Sequence, residues 1–264
     1  MTAEKKEDAE KTAPREFVAP VAHGLNVLKS FDRDHFEMTL SEVSVRTGMT
    51  RAGARRYLLT LAHLGYVEQR GRLFRLTPKV LELGFTFMAT LPLAEIAQPY
   101  LDRLTEITGE TTALDILDQD HVVHLAWASS PRQLAPRVSV GKRFSALYNS
   151  TGRMLLALQD EAEQERCINA GKLTRLTQWT LMSKAKLREE LKLARKQQYA
   201  VVDQEVEEGL RSLAVPVFNS QGTAVAAMGI ITNVAIVSQQ DLLEKLLPAL
   251  QAAAREVSAA LVAC

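Results

Sequence analysis

The stretch from Leu40 to Leu76 decides the fold of the N-terminal region and reads LSEVSVRTGMTRAGARRYLLTLAHLGYVEQRGRLFRL. Its beginning predicts a short helix with Leu40, Val43 and Val45 packed inward. Gly48 ends this helix, because glycine accepts the left-handed conformation that closes many helices. A second, basic helix starts at Thr50, and a hairpin turns at Gly71. A helix, a tight turn, a basic helix and a basic hairpin together predict a winged helix-turn-helix that reads DNA.

Positive charge is concentrated in this stretch. The 264-residue chain has a formal charge of only +1, yet six arginines stand against one acid, Glu68, between Arg51 and Arg75. A compact positive patch on a nearly neutral chain indicates a local contact with a polyanion and no general affinity for one. The sequence therefore predicts double-stranded operator DNA as a partner.

Two kinds of DNA contact are expected from this patch. The start of the second helix should enter the major groove, where Thr50, Arg51 and Arg55 reach base edges and Gly53 permits close approach. Arg56, Arg70 and Arg72 should meet phosphates, which position the protein without specifying sequence. The competing interpretation is an ordinary solvated basic face. The helix-turn-helix spacing and the basic wing argue against it.

The rest of the chain divides into three further regions. Residues 1–20 are predicted to be a flexible arm that is rich in lysine and glutamate, before the winged helix of residues 21–77. Thr77-Pro78 opens a linker helix over 78–91, whose strongly apolar sequence favours a dimer seam over a segment packed on the core. Residues 92–264 are predicted to form an effector-binding and oligomerisation domain.

The third region changes its apolar period at Thr111, from the helical period to two. TTALDIL and HVVHLAWA predict strands, and a later hairpin turns at residues 219–222. Strict alternation along HVVHLAWA predicts that His124 and Trp127 point to opposite sides, so that at most one faces a pocket. The fold class is therefore α+β, with an antiparallel sheet flanked by helices in this region.

Catalytic, metal and cofactor motifs are not found. The sequence has no GxSxG elbow, P-loop or GxGxxG, and the acids and histidines near residue 120 lack ordered ligand spacing. Glu205, Glu207 and Glu208 are interpreted as a solvated acidic turn. With two cysteines, no signal peptide and no long apolar run, the chain is predicted to be a soluble cytoplasmic protein with no cofactor and no membrane contact.

Three segments resemble the IclR family of bacterial transcriptional regulators. They are GMTRAGARRYLLTLAHLGYVE, NSTGRMLLAL and YAVVDQEVEEGLRSLAVPVFNSQGTAVAAMGI, and the resemblance covers roughly residues 20–262. The third segment is especially similar to the branch that controls aromatic-acid catabolism, the protocatechuate and β-ketoadipate type. The resemblance implies a winged-helix DNA-binding domain, a GAF-like effector domain, and a homodimer or dimer of dimers.

The effector site is expected around the NSTGR turn. Ser150, Thr151 and Gly152 offer backbone amides at a helix start, and Arg153 could pair with a carboxylate, although a merely capped helix start remains the alternative. Asp203 could orient a hydroxyl or cap a strand end. The other expected pocket residues are Phe144, Leu147, Tyr148, Leu210, Ser212, Gly229 and Ile231.

The expected effector is a small carboxylic acid such as 4-hydroxybenzoate, protocatechuate or β-ketoadipate. Some members of the resembled family carry Cys at position 212 and Ser at position 229. Gly229 and Ile231 here leave a roomier, less polar wall that favours an aromatic acid. The expected function is ligand-responsive transcriptional regulation without enzymatic activity. The alternatives are an enzyme acting on a small carboxylic acid with an appended DNA-binding domain, and a DNA-binding protein without an effector.

Overall fold

The computed structural model describes residues 16–89, 92–130 and 140–262. The chain divides into two compact units between Ala89 and Thr90. Most of the predicted arm lies outside the described residues, as does Cys264, while Cys167 is a buried free thiol. No helix in the described ranges has the length and apolar character needed to cross a membrane.

The first unit is a winged helix-turn-helix, as predicted. A three-stranded antiparallel sheet in the order β1-β3-β2 flanks the helices, and Val27, Met38, Val43 and Leu58 lie in the core. The elements are α1 (Ala19–Lys29), β1 (Glu37–Thr39), α2 (Leu40–Thr47), α3 (Arg51–His63), β2 (Val67–Arg70), β3 (Leu73–Leu76), a 3-10 turn (Pro78–Val80) and α4 (Leu81–Ala89).

Local signals set the ends of the two central helices. Thr39 begins α2 with a capping box, in which its side chain and that of Glu42 bond each other's backbone amides. Gly48 ends α2 with a φ of 65°, as expected from its place in the sequence. The prediction that Val45 packs inward was wrong, since Val45 is 81% exposed. It lies two residues beyond the buried Val43, which is about 200° around the helix.

The second unit is built on one six-stranded antiparallel sheet in the order β6-β5-β4-β9-β8-β7. Helices α5 and α10 pack on one face of the sheet and α6 packs on the other. The elements are α5 (Leu93–Thr108), β4 (Thr111–Asp118), β5 (His121–Ala128), β6 (Arg143–Ser145), α6 (Ser150–Leu158), α7 (Glu161–Ala170), α8 (Lys184–Gln197), β7 (Ala200–Asp203), β8 (Leu210–Phe218), β9 (Ala224–Asn233), α9 (Gln239–Asp241), a π-helical turn (Leu242–Leu246) and α10 (Leu247–Val262).

A β-bulge interrupts the pairing of β4 with β5. Leu114 pairs with Ala126 but Asp115 pairs with His124, so that Leu125 has no partner on β4. Trp127 pairs with Ala113, and Ala113 and Asp115 share one face of the sheet. Trp127 and His124 therefore lie on the same face, and the prediction that they point to opposite sides was wrong because the extra residue resets the period.

Candidate functional site

The first unit presents its basic residues at the start of α3 and in the β2–β3 wing. Thr50 precedes the helix, and its Oγ1 accepts a hydrogen bond from the Gly53 amide at 3.1 Å. A Cβ atom on Gly53 would lie 3.2 Å from that oxygen, so a larger residue there would press on the cap. The first turn carries no acidic residue. Its surface is consequently suited to anions.

The arginines of this surface differ in whether they are already paired. Arg51, Arg55, Arg56 and Arg72 are exposed and form no ion pair within the described parts of the chain. By contrast, Arg70 Nε lies 3.2 Å from Glu68 Oε1, and Arg75 binds the same carboxylate. Four guanidinium groups are therefore available to phosphates or base edges, whereas Arg70 is partly neutralised.

The second unit contains a cavity of about 380 Å³ between the sheet and the start of α6. This volume falls within the range of small-molecule sites. Eight of the residues expected at an effector site line it, namely Phe144, Tyr148, Ser150, Thr151, Leu210, Ser212, Gly229 and Ile231. The remaining lining residues are Ala113, Asp115, His124, Lys142, Ser145, Asn149, Leu176, Val202, Glu205, Val206, Glu207, Arg211 and Ile230.

A buried polar group forms one end of this cavity. Asp115 and His124 are only 1% and 3% exposed, respectively. The Asp115 carboxylate binds His124 Nδ1 through one oxygen and accepts the Thr151 hydroxyl through the other. The His124 ring also meets Phe144 edge to face, with the ring centroids 4.8 Å apart. The sheet, helix α6 and strand β6 thus hold the imidazole in one orientation.

The helix start at Ser150 is closely packed. The Asn149 side chain caps α6 by accepting from the Thr151 amide at 2.9 Å. A Cβ atom on Gly152 would lie 2.4 Å from the Ala146 Cα atom. Gly152 therefore allows α6 to approach the chain after β6 and does not line the cavity. Leu147 is likewise placed in the apolar core beside α6.

Arg153 is fully engaged inside the protein. It is 2% exposed, and its Nη1 and Nη2 donate to Glu205 Oε1 and Oε2 at 2.6 and 2.7 Å. The Glu205 carboxylate also accepts from the Leu181 amide at 2.9 Å. The Arg153 guanidinium does not line the cavity, in contrast to the expected contact with an effector carboxylate. Glu205 is buried too, so its interpretation as part of a solvated acidic turn was wrong.

Asp203 was also expected at the effector site but, like Leu147, Gly152 and Arg153, does not line the cavity. Its Oδ2 accepts from Arg211 Nη2 at 2.8 Å. Among the described residues, three buried atoms near this pair have no hydrogen-bond partner: Asp203 Oδ1, Arg211 Nε and Thr232 Oγ1. Asp115 and His124, the most deeply buried ionisable residues of the cavity lining, were not among the residues expected at the effector site. The available signal was two ionisable residues inside otherwise apolar strands.

Each unit of the chain matches a known protein family. Residues 20–71 match the IclR helix-turn-helix domain, and residues 85–259 match the family described as bacterial transcriptional regulator IclR, C-terminal.

Two curated relatives are similar over nearly the whole chain. The Pca regulon regulatory protein of Pseudomonas putida is 36% identical over 93% of this chain and 85% of the relative. The p-hydroxybenzoate hydroxylase transcriptional activator of Acinetobacter baylyi is 34% identical over 94% of both chains.

Two solved structures extend the comparison. A transcriptional regulator from Rhodococcus sp. RHA1 is 38% identical with a TM-score of 0.82, over 93% of this chain and 98% of that one. A double mutant of the inducer-binding domain of the PobR transcription factor from Acinetobacter was solved with 3-hydroxybenzoic acid. It is 33% identical with a TM-score of 0.58, over 62% of this chain and 97% of that one.

Proposed function

The chain belongs to the IclR family of bacterial transcriptional regulators, and we propose that an aromatic acid is the effector that controls its binding to operator DNA. The regulated genes would encode catabolism of such an acid. Relatives at 36% and 34% identity bear the names of regulators of the Pca regulon and of p-hydroxybenzoate hydroxylase. A structural relative at 33% identity holds 3-hydroxybenzoic acid in its inducer-binding domain.

The observation that carries this proposal is the cavity of the second unit. Its volume of about 380 Å³ accommodates a single substituted ring, and its walls combine apolar side chains with a buried Asp115–His124 pair. Sites of this kind hold a ligand by apolar contact and orient it with a few polar groups. Gly229 keeps part of the wall open, since a Cβ atom there would lie 3.0 Å from Thr151 Cγ2.

DNA binding is proposed to use the predicted residues at the start of α3 and in the wing. Arg51, Arg55 and Thr50 would meet base edges, because they surround the exposed first turn of α3. The exposed Arg56 and Arg72 would meet phosphates, with a smaller contribution from Arg70, which is paired with Glu68. Since the target is the bacterial chromosome, the protein would act in the cytoplasm.

A homodimer, or a dimer of dimers, is proposed as the DNA-binding assembly. Helix α4 presents Leu81 and Phe85 with 74% and 72% of their surface exposed. Large apolar side chains exposed along one helix are suited to burial against a second copy of that helix. An effector would then change operator affinity only if it binds the DNA-competent and DNA-incompetent assemblies unequally.

A thermal-shift screen of the full chain tests the effector proposal. A ligand that binds only the native state at 100 times its Kd should stabilise that state by about 2.7 kcal/mol. We expect aromatic acids such as 4-hydroxybenzoate to raise the Tm and to change the affinity for an operator selected from random DNA. Unchanged Tm with every aromatic and oxo acid, in protein that still binds operator, would contradict the effector proposal. Equal affinity for operator and random DNA would contradict the proposed operator contact.

A further inference from the structure

We infer that the Asp115–His124 pair recognises a ring hydroxyl group of the effector, and that these two residues make the cavity prefer a hydroxylated aromatic acid to the same acid without the hydroxyl. This inference rests on the proposed function, because it concerns the same cavity. It goes further by naming the groups that distinguish one aromatic acid from another. His124 would touch the ligand, and Asp115 would act as a positioning residue behind it.

The orientation of His124 leaves one ring nitrogen for the ligand. Nδ1 is bound to the Asp115 carboxylate, which must accept, so Nδ1 carries a proton. In the parts of the chain that the structure describes, Nε2 makes no hydrogen bond, although the residue is only 3% exposed and lines the cavity. With the proton fixed on Nδ1, Nε2 of a neutral imidazole is an acceptor. The cavity wall therefore contains an acceptor that a ligand hydroxyl group would satisfy.

Charge decides which end of a hydroxybenzoate meets this acceptor. The Asp115 carboxylate is 1% exposed, and a second carboxylate placed beside it in a dry cavity would be repelled strongly. A phenolic hydroxyl is neutral and donates a proton, so it suits Nε2 without adding charge. The ligand carboxylate is then directed away from this pair, towards the two basic residues of the cavity lining, Lys142 and Arg211.

Fixed packing makes this recognition selective. Thr151 holds the second Asp115 oxygen, and Phe144 lies against the imidazole at 4.8 Å between centroids, so the ring cannot readily turn away. A ligand without the hydroxyl would fill the cavity but leave Nε2 dry and unpaired. Sites built to bond a ligand hydroxyl reject the analogue that lacks it for this reason.

The first experiment compares benzoate, 3-hydroxybenzoate and 4-hydroxybenzoate on the unaltered full chain by calorimetry. We expect at least one hydroxybenzoate to bind about 10- to 100-fold more tightly than benzoate. Equal affinity for all three acids would overturn the inference but leave the proposed aromatic-acid effector standing. If none of the three binds, the proposed effector class and the inference fall together.

A pair of variants assigns the preference to His124. In His124→Gln the amide group can still donate to Asp115, but no ring nitrogen faces the cavity. We expect the ratio of hydroxybenzoate affinity to benzoate affinity to fall to about one, because the group that distinguishes the two acids has been removed. The matched control is His121→Gln on the same strand, because His121 Nδ1 bonds Asp120 Oδ1 at 2.8 Å and lies outside the cavity lining. This control should leave all three affinities unchanged.

Other results for His124→Gln would contradict the inference. Equal loss of benzoate and hydroxybenzoate affinity would mean that His124 holds the carboxylate. Should this variant fail to fold, nitrogen NMR of the unaltered protein decides instead. The His124 Nε2 resonance should move with the preferred hydroxybenzoate by more than with saturating benzoate, and equal movement with both would overturn the assignment.

Asp115→Asn tests the positioning role. An asparagine amide donates to Nδ1, which moves the ring proton to Nε2 and turns that atom from an acceptor into a donor. The hydroxybenzoate preference should then fall at least tenfold, whereas benzoate should bind as before or more tightly. A purely structural role for Asp115 would instead lower the three affinities by the same factor.

Discussion

The arginines of the DNA-binding surface and Arg153 of the second unit serve opposite purposes. At the start of α3 and in the wing, Arg51, Arg55, Arg56 and Arg72 are exposed and unpaired within the described ranges. In the second unit, Arg153 is 2% exposed and bound by both Glu205 oxygens. An exposed, unpaired guanidinium leaves its donors for a polyanion. A buried guanidinium that is already paired in a fork arrangement contributes to the fold.

Local sequence does not distinguish these two uses. Arg153 follows a helix start just as Arg51 does, and both would be expected to face an anion. The partner of Arg153 comes from a residue 52 positions later in the chain, so only the tertiary structure reveals it. The contrast can be tested by removing each kind of arginine in turn.

The largest effect is expected for Arg153→Met, which leaves the buried Glu205 carboxylate without its cation. We expect a loss of about 3–5 kcal/mol in the free energy of unfolding of the second unit. Both tryptophans of the chain, Trp127 and Trp179, lie in this unit, so their fluorescence during urea unfolding reports it.

The matched control is Arg166→Met, which removes an exposed pair with Glu163 and should cost far less. In the double variant Arg153→Met with Glu205→Leu, much of the lost stability should return, because no unpaired charge is then buried. If Arg153→Met cost no more than Arg166→Met, the distinction between structural and available arginines would fail.

Gly152→Ala is expected to have the second-largest effect. The new methyl group would lie 2.4 Å from the Ala146 Cα atom, so that either α6 or the backbone after β6 would have to shift. We expect a loss of about 1–3 kcal/mol, measured by urea unfolding. The same change at Gly24 in α1 meets no atom within 4 Å, and it should stabilise the first unit by about 0.5–1 kcal/mol. Similar outcomes at both glycines would refute the close approach of α6.

DNA binding should separate Arg51 from Arg72. Arg51→Ala is expected to reduce the preference for operator over scrambled DNA by about 1–3 kcal/mol, because a base contact is lost. Arg72→Ala should weaken both complexes equally and reduce the slope of log Kd against log salt concentration by about one. Fluorescence anisotropy at several salt concentrations measures both quantities. Identical profiles for the two variants would argue against separate base and phosphate roles.

The smallest effect is expected from Glu68→Gln in the wing. This change releases Arg70 and Arg75 from their shared carboxylate and should strengthen binding to any DNA slightly, with a steeper salt dependence. Arg70→Ala should accordingly weaken binding less than Arg72→Ala does in the unaltered wing. Weaker DNA binding by Glu68→Gln would show that Glu68 orients these arginines.

Much of the fold could be predicted because its signals are local. These signals act within a few residues of the chain. They are the apolar period of three to four residues, the caps at Thr39 and Thr50, and the left-handed conformation of Gly48. Eight of the 21 residues that line the cavity were also predicted, and four of them lie in residues 144–151, which lead directly into the helix start. The exposed Val45 shows the limit of this reasoning, because an apolar residue in a short helix need not face the core.

The polar end of the cavity could not be predicted, because it depends on pairing between strands. Asp115 and His124 are neighbours only through the β4–β5 register, and strict alternation placed His124 on the opposite face from Trp127. Likewise, Glu205 was predicted to be solvated because it belongs to an acidic run. Its neighbours Glu207 and Glu208 are exposed, whereas Glu205 itself is buried. In both cases, contacts distant in sequence determined which ionisable group was buried.

The unpaired Leu125 determines what a change in the length of β5 would do to this site. His124 is paired with Asp115 on one side of the bulge, and Trp127 is paired with Ala113 on the other side. Deleting the Leu125 codon would therefore remove the bulge and leave the imidazole on the cavity face of the sheet. A relative that is one residue shorter here but retains Asp115 and His124 should be expected to keep the same polar pair in its cavity.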